Sequence, residues 1–141
     1  MSGRPRFGRS LKPLRFARAW CALWCLAIAV VVVVSLVSGP ALPNAPGSDK
    51  LHHFLAYFAL AASAVQLFPR WASLLGAGLG LVLLGVGLEH AQGALTDTRV
   101  ADRWDALANT LGVIAGLGLR LTPLRDLLLR IEARLFSRPR S

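Results

Sequence analysis

Acidic residues are scarce in this chain, with seven Asp and Glu against sixteen Lys and Arg in 141 residues. Charge is thin altogether, at 16% of residues, where a soluble domain carries roughly a quarter. With 55% hydrophobic residues and a mean hydropathy of +0.54, that shortage excludes an ordinary soluble domain and implies one small membrane domain. Cysteine is limited to Cys21 and Cys25, spaced i, i+4 inside an apolar run with no paired His or Cys motif beside them, so they read as lipid-buried or packed thiols. The chain has no HExxH, no Gly-x-Ser-x-Gly, no phosphate loop and no second His at ligand spacing. Neither a metal nor a cofactor is therefore expected. A net charge of +9 raises nucleic acid as a partner, but the basic residues flank apolar segments and do not interleave with aromatics on a soluble fold. No nucleic-acid partner is expected.

Four apolar stretches are present. The first, residues 17–38, contains the uninterrupted apolar run 26–34 and ends at Gly39-Pro40; it is long enough to cross a hydrocarbon core of about 30 Å. It exceeds the apolar region of a signal peptide, so a retained anchor is expected. The second, residues 51–68, stops at Pro69-Arg70-Trp71, and the third, residues 72–88, is glycine-rich and ends at Glu89. The fourth, residues 104–121, opens on acids and carries Asn109 before turning apolar. After Pro123, Leu124, Leu127, Leu128, Ile131 and Leu135 recur at helical spacing with Arg125, Arg130 and Arg134 on other faces. That pattern predicts a short amphipathic helix on the membrane surface.

Lys and Arg set the orientation, because positive residues are retained on the cytoplasmic side. Six lie in the N-terminal flank (Arg4, Arg6, Arg9, Lys12, Arg15 and Arg18), and six in the C-terminal flank (Arg120, Arg125, Arg130, Arg134, Arg138 and Arg140). The remaining loops carry only Lys50, Arg70, Arg99 and Arg103. The reading is an all-α membrane protein, a four-transmembrane-helix bundle with both ends cytoplasmic, multi-pass in the cell inner (plasma) membrane. Its parts are a basic disordered tail (1–16), the membrane domain (17–121) and a basic amphipathic tail (122–141).

With that topology the polar residues outside the tails collect at the outer face. On a helix of 3.6 residues per turn, Asp49, Lys50, His53 and Tyr57 project within an arc of about 100°, with His52 pointing elsewhere. Glu89 and Gln92 are i, i+3 neighbours. Asp102, Asp105, Asn109, Gly112 and Gly116 fall within about 80° of one another, so the acids and the glycine seam form one side. Gly112/Gly116 and Gly76/Gly80 are small-xxx-small pairs that let backbones approach, and they mark helix packing. Ionisable groups facing lipid tails are costly, so Glu89, Asp105 and Asn109 should face the bundle.

The order Asp49-Lys50-x-x-His53-x-x-x-Tyr57, Glu89-x-x-Gln92, Arg99, then Asp105-x-x-x-Asn109-x-x-Gly112-x-x-x-Gly116 resembles the VanZ-like integral membrane proteins over roughly residues 20–120. In this chain Thr96, Asp97 and Thr98 precede Arg99 and Val100-Ala101 follow it, where that family often has Pro or Ser close after its arginine. The resemblance implies a membrane topology and a link to resistance against the glycopeptide teicoplanin, but no reaction.

Three readings of the constellation stay open. In the first, Asp49, Lys50, His53, Tyr57, Glu89, Gln92, Arg99, Asp105 and Asn109 form a binding or accessory site. Its partners would be membrane lipids, a lipid-linked cell-wall intermediate or a glycopeptide, with Arg99 offering a bidentate fork to phosphate or carboxylate. In the second, an enzyme uses His53 or Glu89 as general acid/base with Arg99 stabilising negative charge, although no nucleophile is evident. In the third, Asp49/Lys50, Glu89/Arg99 and Asp102/Arg103 merely pair across helix ends. Four short spans without repeats argue against a transporter, and the oligomeric state is open.

Overall fold

The computed structural model describes residues 10–37, 48–95 and 101–136, and all regular structure among them is helical. The helices are α1 (Ala17–Val37), α2 (Ser48–Leu67), α3 (Trp71–Leu95), α4 (Arg103–Gly118) and α5 (Leu127–Phe136). Two 3₁₀ turns, Leu119–Leu121 and Pro123–Asp126, join α4 to α5.

Each boundary has a local cause. Asp102 caps α4: its backbone is extended (φ −108°, ψ 112°) and its carboxylate accepts the Trp104 N–H at 2.8 Å, satisfying a donor left over at the helix start. Asp49 and Asp105 sit in the first turns of α2 and α4, where negative charge complements the positive end of the helix dipole. At the other end, Thr122 caps the turn that opens on Pro123, which cannot continue a helix, and the chain bends by 81° there.

α2 and α4 run parallel and in close register, with Lys50 level with Asp105 and His53 level with Asn109. Further along, Gly112 lies against the backbone at Phe54 and Phe58, and Gly116 against Phe58 and Ala61. A Cβ at Gly116 would stand 2.6 Å from the Phe58 carbonyl oxygen and 2.7 Å from the Ala61 Cβ; only hydrogen fits. Ala61 and Ala64, fully buried, complete the small-residue seam on α2. α3 runs antiparallel to both and buries Leu74, Gly78, Leu81, Gly85, Leu88, Glu89 and Gln92, a single stripe at three- and four-residue spacing. Gly76 and Gly80, expected to pack, lie off this stripe, and a Cβ on either would meet nothing within 4 Å. The packing glycines of α3 are Gly78, against Leu117 and Val113, and Gly85, against Asn109 and Tyr57.

α1 buries no residue fully. Leu23, Leu26, Val30, Val33, Val34 and Val37 are exposed, as are Leu75, Leu79 and Leu83 of α3 and Leu111 and Ile114 of α4. An apolar surface of this extent is rare on a water-soluble monomer and, with the long apolar helices that carry it, supports a membrane protein. α1 and α3 are long and apolar enough to cross a membrane, and the bent unit of α4 through α5 is a third candidate if taken together. α4 itself, at 16 residues, reaches about 24 Å at 1.5 Å per residue, and α2 opens on a polar turn.

The chain segment before α1 departs from expectation. Residues 10–16 belong to the expected tail, yet Lys12 and Leu14 are buried at 5% and 7% exposure. Lys12 Nζ donates to Asp126 Oδ1 at 2.8 Å and its N–H to the Leu67 carbonyl at 2.7 Å. Buried Glu132 on α5 accepts from the backbone N–H groups of Arg15 (2.6 Å) and Phe16 (3.4 Å) and from Trp20 Nε1 (2.7 Å). Backbone donors just before α1 are thus met by a carboxylate from α5, and Gln66 ties α2 to the same place through Leu124 and Leu128. Composition marks this stretch as polar and basic, but its partners on α2, on the turn before α5 and on α5 lie from 55 to more than a hundred residues away.

Candidate functional site

The starts of α2 and α4, the end of α3 and the end of α1 meet at one end of the bundle, where most of the expected polar residues come together. Lys50 reaches from α2 to α4, placing Nζ 3.1 Å from Asp102 Oδ2 and 3.4 Å from Asp105 Oδ1. The Asp102 bond and the nearby Asp105 charge raise the Lys50 pKa. The Trp104 N–H and then Lys50 lower that of Asp102. The expected Asp49/Lys50 pairing does not form, since the Lys50 side chain turns across the parallel interface toward α4. Asp49 faces His53 instead, one turn along α2.

His53 is the hub of the cluster. Its Nδ1 lies 3.1 Å from Asn109 Oδ1, and its Nε2 lies 3.8 Å from both Asp49 Oδ1 and Asp105 Oδ2. Asn109 is 2% exposed and Asp105 8%, so both face the bundle as expected. Because α3 continues to Leu95, Glu89 and Gln92 are helical and buried. Glu89 Oε2 accepts the Asp102 N–H at 3.3 Å, fastening α3 to the start of α4. Gln92 Nε2 donates to the Ser35 carbonyl at 2.6 Å and fastens α3 to α1. Arg99 lies outside the described residues.

A cleft of about 450 Å³ opens between α1 and α2 at this end. Val30, Val31, Val34 and Ala56 form its apolar walls, and Ser35, Asp49, His52, His53 and Tyr57 supply its polar groups. Tyr57 is 2% exposed, and its hydroxyl has no hydrogen-bond partner among the described residues. The structure therefore gathers eight of the nine expected binding residues into one neighbourhood.

Three features were missed from sequence. His52 shares the cleft with His53, because the gap between α1 and α2 is wide enough to take side chains about 100° apart on one helix. Asp102, read as the start of a polar face or as a partner of Arg103, joins three groups: the Trp104 N–H, Lys50 and Glu89. The stripe through Gly78 and Gly85 that orients Glu89 and Gln92 was readable as one helical phase, but the Gly76/Gly80 spacing masked it.

Asp49, His53 and Asp105 each present a ligand atom, and the three atoms lie within 4.8 Å of one another. No metal was expected, because local spacing shows only Asp49 and His53, and Asp105 arrives from another helix. Ser63, by contrast, lines a separate apolar groove between α1, α2 and α5 and donates to the Ala59 carbonyl. It plays no part in this cluster.

Compared with protein-family models, curated proteins and solved structures, the chain matches none.

Proposed function

We propose that the chain is a four-span protein of the plasma membrane with both ends cytoplasmic, and that its polar end, at the outer face, binds the head of an envelope amphiphile. This is the accessory role that the VanZ-like resemblance implies, with a lipid-linked cell-wall intermediate, another anionic lipid or a glycopeptide as ligand. The observation that carries the proposal is the cleft between α1 and α2. Its valine walls continue onto the exposed face of α1, where Val30 and Val34 are 51% and 56% exposed. An acyl chain can lie along that face while its head meets Asp49, His52, His53 and Tyr57. Sites of this kind combine an apolar wall with a few convergent polar groups.

Lys50, occupied by two carboxylates, contributes positive charge at the rim, and Arg99 enters as the sequence expectation for an anionic head. Binding is favoured over acid/base catalysis because the candidate groups are already engaged: His53 with Asn109, and Glu89 with the Asp102 N–H. Mass spectrometry of lipid retained through purification provides the test. Ala56→Trp, which fills the cleft from α2, should strip a lipid class that the natural sequence retains. Identical lipid retention by a folded Ala56→Trp variant would remove the cleft from the proposal.

A further inference from the structure

The geometry points to a divalent transition-metal site formed by His53 Nε2, Asp49 Oδ1 and Asp105 Oδ2, with a fourth position open to the cleft between α1 and α2. Three lone-pair-bearing atoms converge from two helices, His53 Nε2 standing 3.8 Å from each carboxylate oxygen. Ligands about 2.1 Å from a tetrahedral ion stand about 3.4 Å apart, so modest side-chain movement closes the set.

The groups behind these atoms are arranged as a metal site requires. Asn109 Oδ1 is an acceptor, so the proton of a neutral His53 ring lies on Nδ1 and the Nε2 lone pair points at the two carboxylates. A hydrogen bond from the far ring nitrogen is what orients a metal-bound histidine and sets its tautomer. Asp105 is divided in the same way: Lys50 takes Oδ1 at 3.4 Å and leaves Oδ2 toward His53. This positions the carboxylate to bind through one oxygen.

Charge supports the same assignment. Although the whole chain is strongly basic, the described residues at this end carry Asp49, Glu89, Asp102 and Asp105 against Lys50 and Arg103. Two carboxylates with one neutral imidazole balance a divalent ion. One His with two carboxylates is an N/O set that suits Zn²⁺, and three protein ligands leave a position for water or a ligand oxygen. Tyr57, one turn further along α2, lines the same cleft, and its buried hydroxyl has no hydrogen-bond partner among the described residues. A bound ion would also let an acidic cleft accept a phosphate or carboxylate. The assignment itself stands on the protein residues and needs no lipid.

The test is titration of the untagged full chain in detergent with Zn²⁺ alone, monitored by calorimetry, with Co²⁺ absorption reporting the ligand set. The expected result is one ion per chain, with Mg²⁺ bound far more weakly. Asp49→Asn and His53→Gln should each weaken Zn²⁺ at least about tenfold, and Asn109→Ala, through loss of orientation, about 10- to 100-fold. His90→Ala, on the exposed side of α3, should leave affinity unchanged. Asp49 is on the rim, half exposed, so its variant reports even if His53→Gln fails to fold. Absence of stoichiometric Zn²⁺ binding overturns the assignment, as does equal affinity in Asp49→Asn or loss of binding in His90→Ala. Lipid retention measured in the presence of a chelator remains a separate experiment, so either result stands without the other.

Discussion

His53 of α2 and Asn109 of α4 stand side by side, Nδ1 to Oδ1 at 3.1 Å, at the level where Gly85 of α3 presses its backbone against Asn109 and Tyr57. This contact joins the seam that holds the helices together to the cluster that carries the chemistry. Removing either partner should therefore affect both stability and binding.

Asn109→Ala leaves the His53 ring without its acceptor and a void beside Gly85. An unmade buried hydrogen bond costs about 1–3 kcal/mol, so the unfolding midpoint in detergent should fall. A midpoint equal to that of the natural protein would show that the pair contributes nothing to stability.

The two glycine pairs should behave oppositely. Gly116→Val forces a side chain against the Phe58 carbonyl and Ala61, and overpacking of this kind costs about 1–3 kcal/mol or more. Gly80→Val enters open space and should leave the thermal midpoint of the monomer unchanged. The comparison is a pair of melting curves, and equal losses in both variants would contradict the assignment of the seam to Gly116.

At the opposite end, hydrogen bonding to Lys12 holds the Asp126 carboxyl below its ordinary range. A group whose folded pKa is depressed contributes stability that is present above its unfolded value and lost as pH falls through the folded one. The clamp on the segment before α1 should therefore hold at neutral pH and loosen only in acid, below the usual aspartate range. Emission from Trp20, bonded to Glu132 in the same collar, should report the change, and Asp126→Asn should reproduce it at neutral pH. An acid titration unchanged by Asp126→Asn would sink this account.

Topology is open to labelling. With Cys21 and Cys25 replaced, Gly47→Cys and Thr96→Cys should both react with an impermeant maleimide on intact cells, whereas Ser10→Cys should react only after permeabilisation. Reaction of Gly47→Cys and Thr96→Cys from different sides would place the loops before α2 and before α4 in separate compartments and end the outer-face proposal.

Periodicity and composition alone located the helices to within a few residues, except that α3 extends through Glu89 and Gln92 to Leu95, where polar side chains ended the apolar run but not the helix. The inward faces of Asp105 and Asn109 were also legible, because ionised and amide groups are expensive against lipid and their phase coincides with Gly112 and Gly116. Helical phase was a poorer guide on α3. Two glycine pairs have equally good spacing, and only the neighbour that fills the gap distinguishes a packing pair from an exposed one.

What the sequence determined by itself is the membrane character, the run of helices and the set of polar residues held away from lipid. These depend on local hydropathy and on a repeat of 3.6 residues. Which of those polar groups touch was decided by the tertiary structure alone: Lys50 with Asp102 and not Asp49, Glu132 with the start of α1, and Asp105 beside Asp49 and His53. Such contacts depend on the parallel register of α2 and α4 and on the bend after Thr122. Both are set by backbone approach at small residues and by where the chain can turn, which no local pattern records.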